Sequence, residues 1–161
     1  MTAGRATGSY RITTGDGRST EELVVAGEYA YAHSCVTSDN FPTGHFGGKR
    51  EREIVLLEFD HEVTSEEVIA EAALLGLERP VYEDALYFGV ECPDVQRERS
   101  VVFLHDPWFG FFGRRELGLE GFDDCWSGNH RFAFVRSHMP STTTARRISP
   151  VCFVRFCDGS R

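Results

Sequence analysis

Polar and apolar residues alternate from Tyr10 to Thr14 (YRITT), a pattern that predicts a first strand closed by turn chemistry at Gly15-Asp16-Gly17. Ser19-Thr20-Glu21-Glu22 then has capping-box form, so a short helix should follow, with Gly27 placed for a left-handed C-terminal cap. From His33 to Arg50 the chain turns to Ser, Asn, Pro, Thr and Gly. This predicts the longest loop, pinned by Phe41 and Phe46. Glu53 to Asp60 (EIVLLEFD) reads as a strand with Ile54, Leu56 and Glu58 on one face and Val55, Leu57 and Phe59 on the other. Its nearly continuous apolar middle predicts a central position in a sheet.

Thr64-Ser65-Glu66-Glu67 is a second capping box, and Val68, Ile69, Ala72 and Leu75 follow at helical spacing before Gly76 closes the element. Arg79-Pro80 opens another helix with Ala85, Leu86, Phe88 and Gly89 as its apolar stripe, its acids solvated and Pro93 stopping or kinking the chain. Ser100 to His105 (SVVFLH) predicts a short buried strand, and Arg114 to Leu119 and His130 to Ser137 predict two more. The expectation is one α+β domain over residues 1–137. Two main helices, at about 64–75 and 81–92, pack on a twisted, mostly antiparallel sheet. Residues 138–161 read as a flexible C-terminal extension, with an edge strand at 151–156.

Charge sharpens this picture. The chain carries a formal charge of −8, and the segment from Glu58 to Glu98 sets twelve acids against Arg79 and Arg97, a local charge of −10 that leaves the remainder at +2. Direct nucleic-acid binding is disfavoured, because phosphate contacts require the opposite sign. No apolar run approaches the length of a membrane span and the opening residues lack the apolar centre of a secretory signal, so a cytoplasmic protein is expected. The five cysteines (Cys35, Cys92, Cys125, Cys152 and Cys157) form no C-x-x-C pair and are expected as reduced thiols.

Several constellations could carry chemistry. No two of the six histidines have the i, i+4 spacing of metal ligands on a helix, so neither a metal nor another cofactor is expected. Cys125 with His130, or Cys35 with His33, could pair as thiolate and imidazole, the arrangement a thiol-dependent enzyme needs. A buried, inert cysteine is the plainer reading. The glycines at 110, 113, 118, 121 and 128 lack phosphate-cradling spacing. The most unusual local composition is Trp108, Phe109, Phe111 and Phe112 followed by Arg114. Core packing accounts for such a run, but aromatics with Arg are also the material of interface hot spots.

The stretch Gly76-Leu77-Glu78-Arg79-Pro80, Glu83-Asp84-Ala85-Leu86, Phe88-Gly89, Pro93, Gln96-Arg97-Glu98, Val101-Val102-Phe103-Leu104 and Trp108 resembles a family of small bacterial proteins from environmental and candidate-phylum genomes. Asn40-Phe41-Pro42 and Arg131-Phe132-Ala133-Phe134-Val135-Arg136 look like the same family, to which no activity is attached. The order helix, Arg-Pro, helix, strand with Trp, loop and closing R-F-A-F-V-R strand is also similar to C-type-lectin-like domains, including those of formylglycine-generating enzymes. The calcium-binding motifs of those lectins are absent, since Cys125-Trp126-Ser127-Gly128-Asn129 stands where Trp-Asn-Asp would, so no calcium or sugar site is implied. The resemblance does imply that Trp126, Asn129 and Arg131 share one sheet end with the aromatic run.

The function expected from these readings is a non-enzymatic protein-binding module that uses Trp108, Phe109, Phe111, Phe112, Arg114, Trp126, Asn129 and Arg131 against a protein partner. An acidic inhibitor or nucleic-acid mimic is the alternative, with Glu66, Glu67, Glu71, Glu83 and Asp84 facing a basic nucleic-acid-processing protein. A thiol-dependent enzyme is the third reading. Oligomeric state is open.

Overall fold

The computed structural model describes residues 4–29, 32–44, 47–105, 118–121, 125–136 and 152–156. In chain order the elements among them are β1 (Arg5–Thr14), α1 (Thr20–Ala26), β2 (Arg50–Glu58), β3 (Val63–Thr64), α2 (Ser65–Leu74) and β4 (Leu77–Glu78). Then come α3 (Tyr82–Glu91), α4 (Pro93–Glu98), β5 (Val101–Phe103), β6 (Gly118–Gly121), β7 (Cys125–Trp126), β8 (Arg131–Arg136) and β9 (Cys152–Phe156). The fold is mixed α/β. One sheet runs β1-β2-β8-β5-β9-β6, with β4 also on β8, and β3 and β7 form a separate two-stranded ribbon. Every pairing is antiparallel except β5 with β8, so the sheet is mixed.

The sheet is covered on both faces, and its strands are apolar for that reason. On one face Ile54, Leu56, Val101, Phe103, Ala133 and Val135 pack with Leu23 of α1 and with Ala85, Leu86 and Phe88 of α3. On the other, Val55, Leu57, Val102, Phe132 and Phe134 pack with Val68 and Ala72 of α2 and with Trp126 of β7. The two main helices therefore lie on opposite faces. The alternation read from EIVLLEFD is the alternation observed, and β2 sits inside the sheet between β1 and β8. Register follows, because Val55 opposes Phe134 and Leu57 opposes Phe132 on one face while Ile54 opposes Val135 and Leu56 opposes Ala133 on the other. A slip of one residue would exchange all of these between faces.

Both capping boxes form. Ser19 Oγ accepts the Glu22 amide at 3.2 Å while Glu22 accepts the Ser19 amide at 2.8 Å, and Thr64 and Glu67 repeat the arrangement. Gly76 closes α2 with φ +70°. Gly27, expected in the left-handed region, is right-handed at φ −74°, and the positive φ falls instead on Glu28. Pro93 ends α3 and at once begins α4, where its missing amide would have had no partner. Phe41 is buried as expected, with Thr20 Oγ1 donating to its carbonyl and its ring against Tyr82. Phe46 and the stretch 114–117 of the expected 114–119 strand lie outside the described residues, and β6 begins at Gly118. The segment expected as an edge strand at 151–156 contains β9, which pairs with β5 on one side and β6 on the other, so it is interior.

The two acids in the first turn of α3 do not form a solvated face, although Glu91 at its end is exposed. Glu83 and Asp84 are both fully buried. Asp84 accepts two hydrogen bonds from Arg52, at 2.9 and 2.8 Å, and a third from the Val81 amide at the helix start. Its carboxylate thus caps α3 and ties it to β2, which lies in another layer. Removing the arginine leaves a buried, uncompensated charge, so Arg52→Ala should cost about 3–5 kcal/mol in urea unfolding. Arg97→Ala, which removes a solvent-exposed pair with Asp94, should cost less than about 1 kcal/mol. Equal effects would mean that the Arg52 pair is effectively solvated.

A second tie joins the β1–α1 turn to α3. The buried Tyr87 hydroxyl donates to Asp16 Oδ1 at 2.5 Å and accepts the Asp16 amide at 3.1 Å, while Arg18 bonds the same carboxylate and lies over the Tyr87 ring. The Arg18 hydrogen bond, opposed by partial burial and aided by the Tyr87 hydroxyl, lowers Asp16 from 3.8 to about 2. The contribution of a depressed carboxylate is full above its ordinary pKa and is lost as pH falls through the folded value. The wild-type advantage over Asp16→Asn should therefore be constant above pH about 4 and fade towards pH about 2 in urea titrations. A gap that persists at the acid end would assign the effect to shape and not to charge.

Candidate functional site

The register that aligns the core also builds a charged rung at one end of the sheet. Glu58 is the last residue of β2 and opposes Arg5 on β1 and Arg131 on β8. Directly opposed residues point to the same face, so three neighbouring strands present Arg, Glu and Arg side by side. Arg99, in the turn between α4 and β5, completes the group, with its Nη1 at 3.1 Å from Glu58 Oε1. Arg5 Nη2 stands 3.8 Å from Glu58, and Arg131 Nε stands 4.0 Å from it. Arg131 is held from behind, its Nη2 donating to the carbonyls of Val95 at 2.6 Å and Arg99 at 3.3 Å.

These groups border an open cleft of about 510 Å³ lined by Arg5, Glu58, Phe59, Asp60, Arg99 and Gly128. Its size suits a small ligand or an inserted side chain. Gly128 forms one wall, because a Cβ there would stand 3.0 Å from the Phe59 carbonyl oxygen and any larger side chain would push the turn away. Asp60 stands at the rim with His61 Nδ1 at 2.9 Å, and that hydrogen bond keeps its carboxyl below the usual range.

The residues singled out from sequence meet different fates. Trp108, Phe109, Phe111, Phe112 and Arg114 lie outside the described residues. Trp126 is not on the surface. It is 2% exposed, donates from Nε1 to the buried Ser65 Oγ at 2.8 Å and packs edge-on against Phe132. Arg131 is also buried, and only Asn129 of these three is exposed. Because β5 runs parallel to β8, with Val101 beside Arg131 and Phe103 beside Ala133, the chain leaves β5 at the sheet end opposite Asn129 and Arg131. The expectation that Trp126, Asn129 and Arg131 share a sheet end with the aromatic run falls on residues outside those described.

Of the acidic group, Glu66 and Glu67 are exposed on α2 and Glu71 is half-buried. Glu83 and Asp84 are interior and cannot meet a partner. A surface of five acids is thereby reduced to one helix, on which Glu67 already caps the N-terminus.

The imidazoles of the two candidate thiol pairs have other contacts. His33 Nδ1 accepts the backbone amide of Cys35 at 3.1 Å. His130 Nδ1 lies 3.0 Å from the Ser127 carbonyl and its ring rests on Trp126. Among the described residues no three His, Cys, Asp or Glu side chains converge as metal ligands, and no helix is long and apolar enough to cross a membrane.

Compared with protein-family models, curated proteins and solved structures, the chain matches none. The motif resemblances noted above rest on the quoted residues alone.

Sequence reasoning missed Arg5 and Arg99 altogether and counted Glu58 and Asp60 only as parts of a strand and of an acidic segment. No local pattern marks them, since they are brought together by strand register and by the turn into β5. For the thiols, burial and the neighbouring Glu91 charge push Cys92 up to about 11, while Cys125 is exposed. Iodoacetamide at neutral pH should therefore modify Cys125 well before Cys92 in the native protein, as read by peptide mass spectrometry. Reaction of Cys35 or Cys125 much faster than a free thiol would revive the nucleophile reading.

Proposed function

We propose that this protein is a non-enzymatic protein-binding module whose partner docks over the cleft where β1, β2, β5 and β8 meet. The observation that carries this is the convergence of Arg5 and Arg99 on the open side of Glu58, beside a backbone wall at Gly128. Guanidinium groups held by a sheet and a turn present fixed donors to a partner, and Arg is over-represented at interface hot spots. Asn129 is exposed in the turn that follows Gly128. Trp108, Phe109, Phe111 and Phe112 with Arg114 belong to this reading as a further partner anchor. The sequence of helix, Arg79-Pro80, helix, strand, Trp126 and the closing β8 supports a C-type-lectin-like architecture as part of the proposal.

The reading is tested by placing a photo-crosslinking side chain at position 99, with position 25 on the exposed flank of α1 as control. One protein should crosslink through 99 and not through 25. Once purified, it should bind the wild-type chain and lose at least about tenfold in affinity for Arg99→Glu, the effect of breaking a charge-assisted contact. Equal crosslinking at both positions, or unchanged affinity in the variant, would overturn the proposal.

A further inference from the structure

The charged rung holds more donors than acceptors. A guanidinium carries five N–H groups, and Arg5, Arg99 and Arg131 share the single carboxylate of Glu58. Only the Arg99 contact, at 3.1 Å, is within hydrogen-bonding distance. The contacts of Arg5 and Arg131 Nε with Glu58, and of Arg131 Nη1 with Glu98, are 3.8–4.0 Å and too long to be hydrogen bonds. Arg131 is more than nine-tenths buried, and its Nε has no hydrogen-bond partner. A buried donor without an acceptor is costly, and this one stands directly behind the carboxylate that floors the cleft.

We propose that the cleft is a carboxylate-recognition site, in which Arg99 and Arg5 hold the side-chain carboxylate of a Glu or Asp presented by the partner protein, while the buried Arg131 backs Glu58. This rests on the binding-module reading above. The site is a groove open on the Arg5 side, where that side chain is 81% exposed, so an inserted side chain can reach the guanidinium edges that Glu58 leaves free. Arg–carboxylate geometry supplies the direction of approach. Glu58 and the rim carboxylate of Asp60 are themselves negative, so a single carboxylate is accommodated and a dianion such as phosphate meets greater repulsion. Gly128 keeps the approach clear, since no side chain projects from that wall.

The test is heteronuclear NMR of the arginine Nε–Hε groups and the Gly128 amide in the full chain. The probes are N-acetylglutamate amide, N-acetylglutamine amide, N-acetylglycine and inorganic phosphate. N-acetylglutamate amide should give saturable shifts at Arg99, Arg131 and Gly128. Binding should weaken at least about tenfold in Arg99→Ala, stay unchanged in Arg97→Ala and tighten in Glu58→Gln, which removes the internal competitor. Equal shifts from N-acetylglutamine amide, binding of phosphate alone, tighter binding of N-acetylglycine, or no saturable response would each overturn the assignment. If a partner still crosslinks through position 99 while N-acetylglutamate amide does nothing, the carboxylate assignment falls and the binding-module reading stands. If both experiments fail, both fall.

Discussion

The pairing of β2 with β8, buried on both faces, is the constraint from which the rest of the structure follows. Each strand contributes apolar side chains to two separate cores, so neither can shift by one residue without exposing one set and crowding the other. Fully burying a side chain of Leu, Ile or Phe size is worth about 1.5–3 kcal/mol. A slip in register would forfeit several such contributions at once. The same register brings Glu58 beside Arg131 and Arg5, so the geometry of the cleft is a by-product of the order that packs the core.

Charge has two roles here, separated by depth. Inside, Asp84 and Arg52 join α3 to β2, and the Arg131 guanidinium is tied to the carbonyls of Val95 and Arg99, so buried charges meet fixed partners. Such groups specify how layers sit on one another, since a charge left unpaired in the interior is far more costly than a shifted apolar contact. At the sheet end, Arg5 and Arg99 keep access to water while converging on one carboxylate. That combination, donors oriented by the scaffold but incompletely matched, is what favours recognition there over a purely structural network.

Much of the fold is legible in the sequence. Both capping boxes, the two-faced strand at Ile54–Phe59, the helix end at Gly76 and the strand at Arg131–Arg136 are local signals, carried by residue type and spacing within a few positions. Glu83 and Asp84 misled the reading because acids in a helical first turn look the same whether they face solvent or the interior, where Asp84 meets a half-buried arginine 32 residues earlier in the chain. Trp126 misled it for a related reason, its indole N–H being satisfied by Ser65 in the first turn of α2 and not by a ligand.

The sequence by itself determined the helices α1, α2 and α3, the strands β2, β5 and β8, and which side of the central strand faces which core, because periodicity and capping act over a few residues. The two-residue strands β3, β4 and β7 and the short helix α4 carry no such signal. Only the tertiary structure decided that the two main helices lie on opposite faces and that β8 runs parallel to β5. It also decided that Arg5, Glu58, Arg99 and Arg131 meet at one end of the sheet. The physical reason is that sheet order and register are settled by the simultaneous burial of side chains far apart in the chain, a condition that no local window of residues contains.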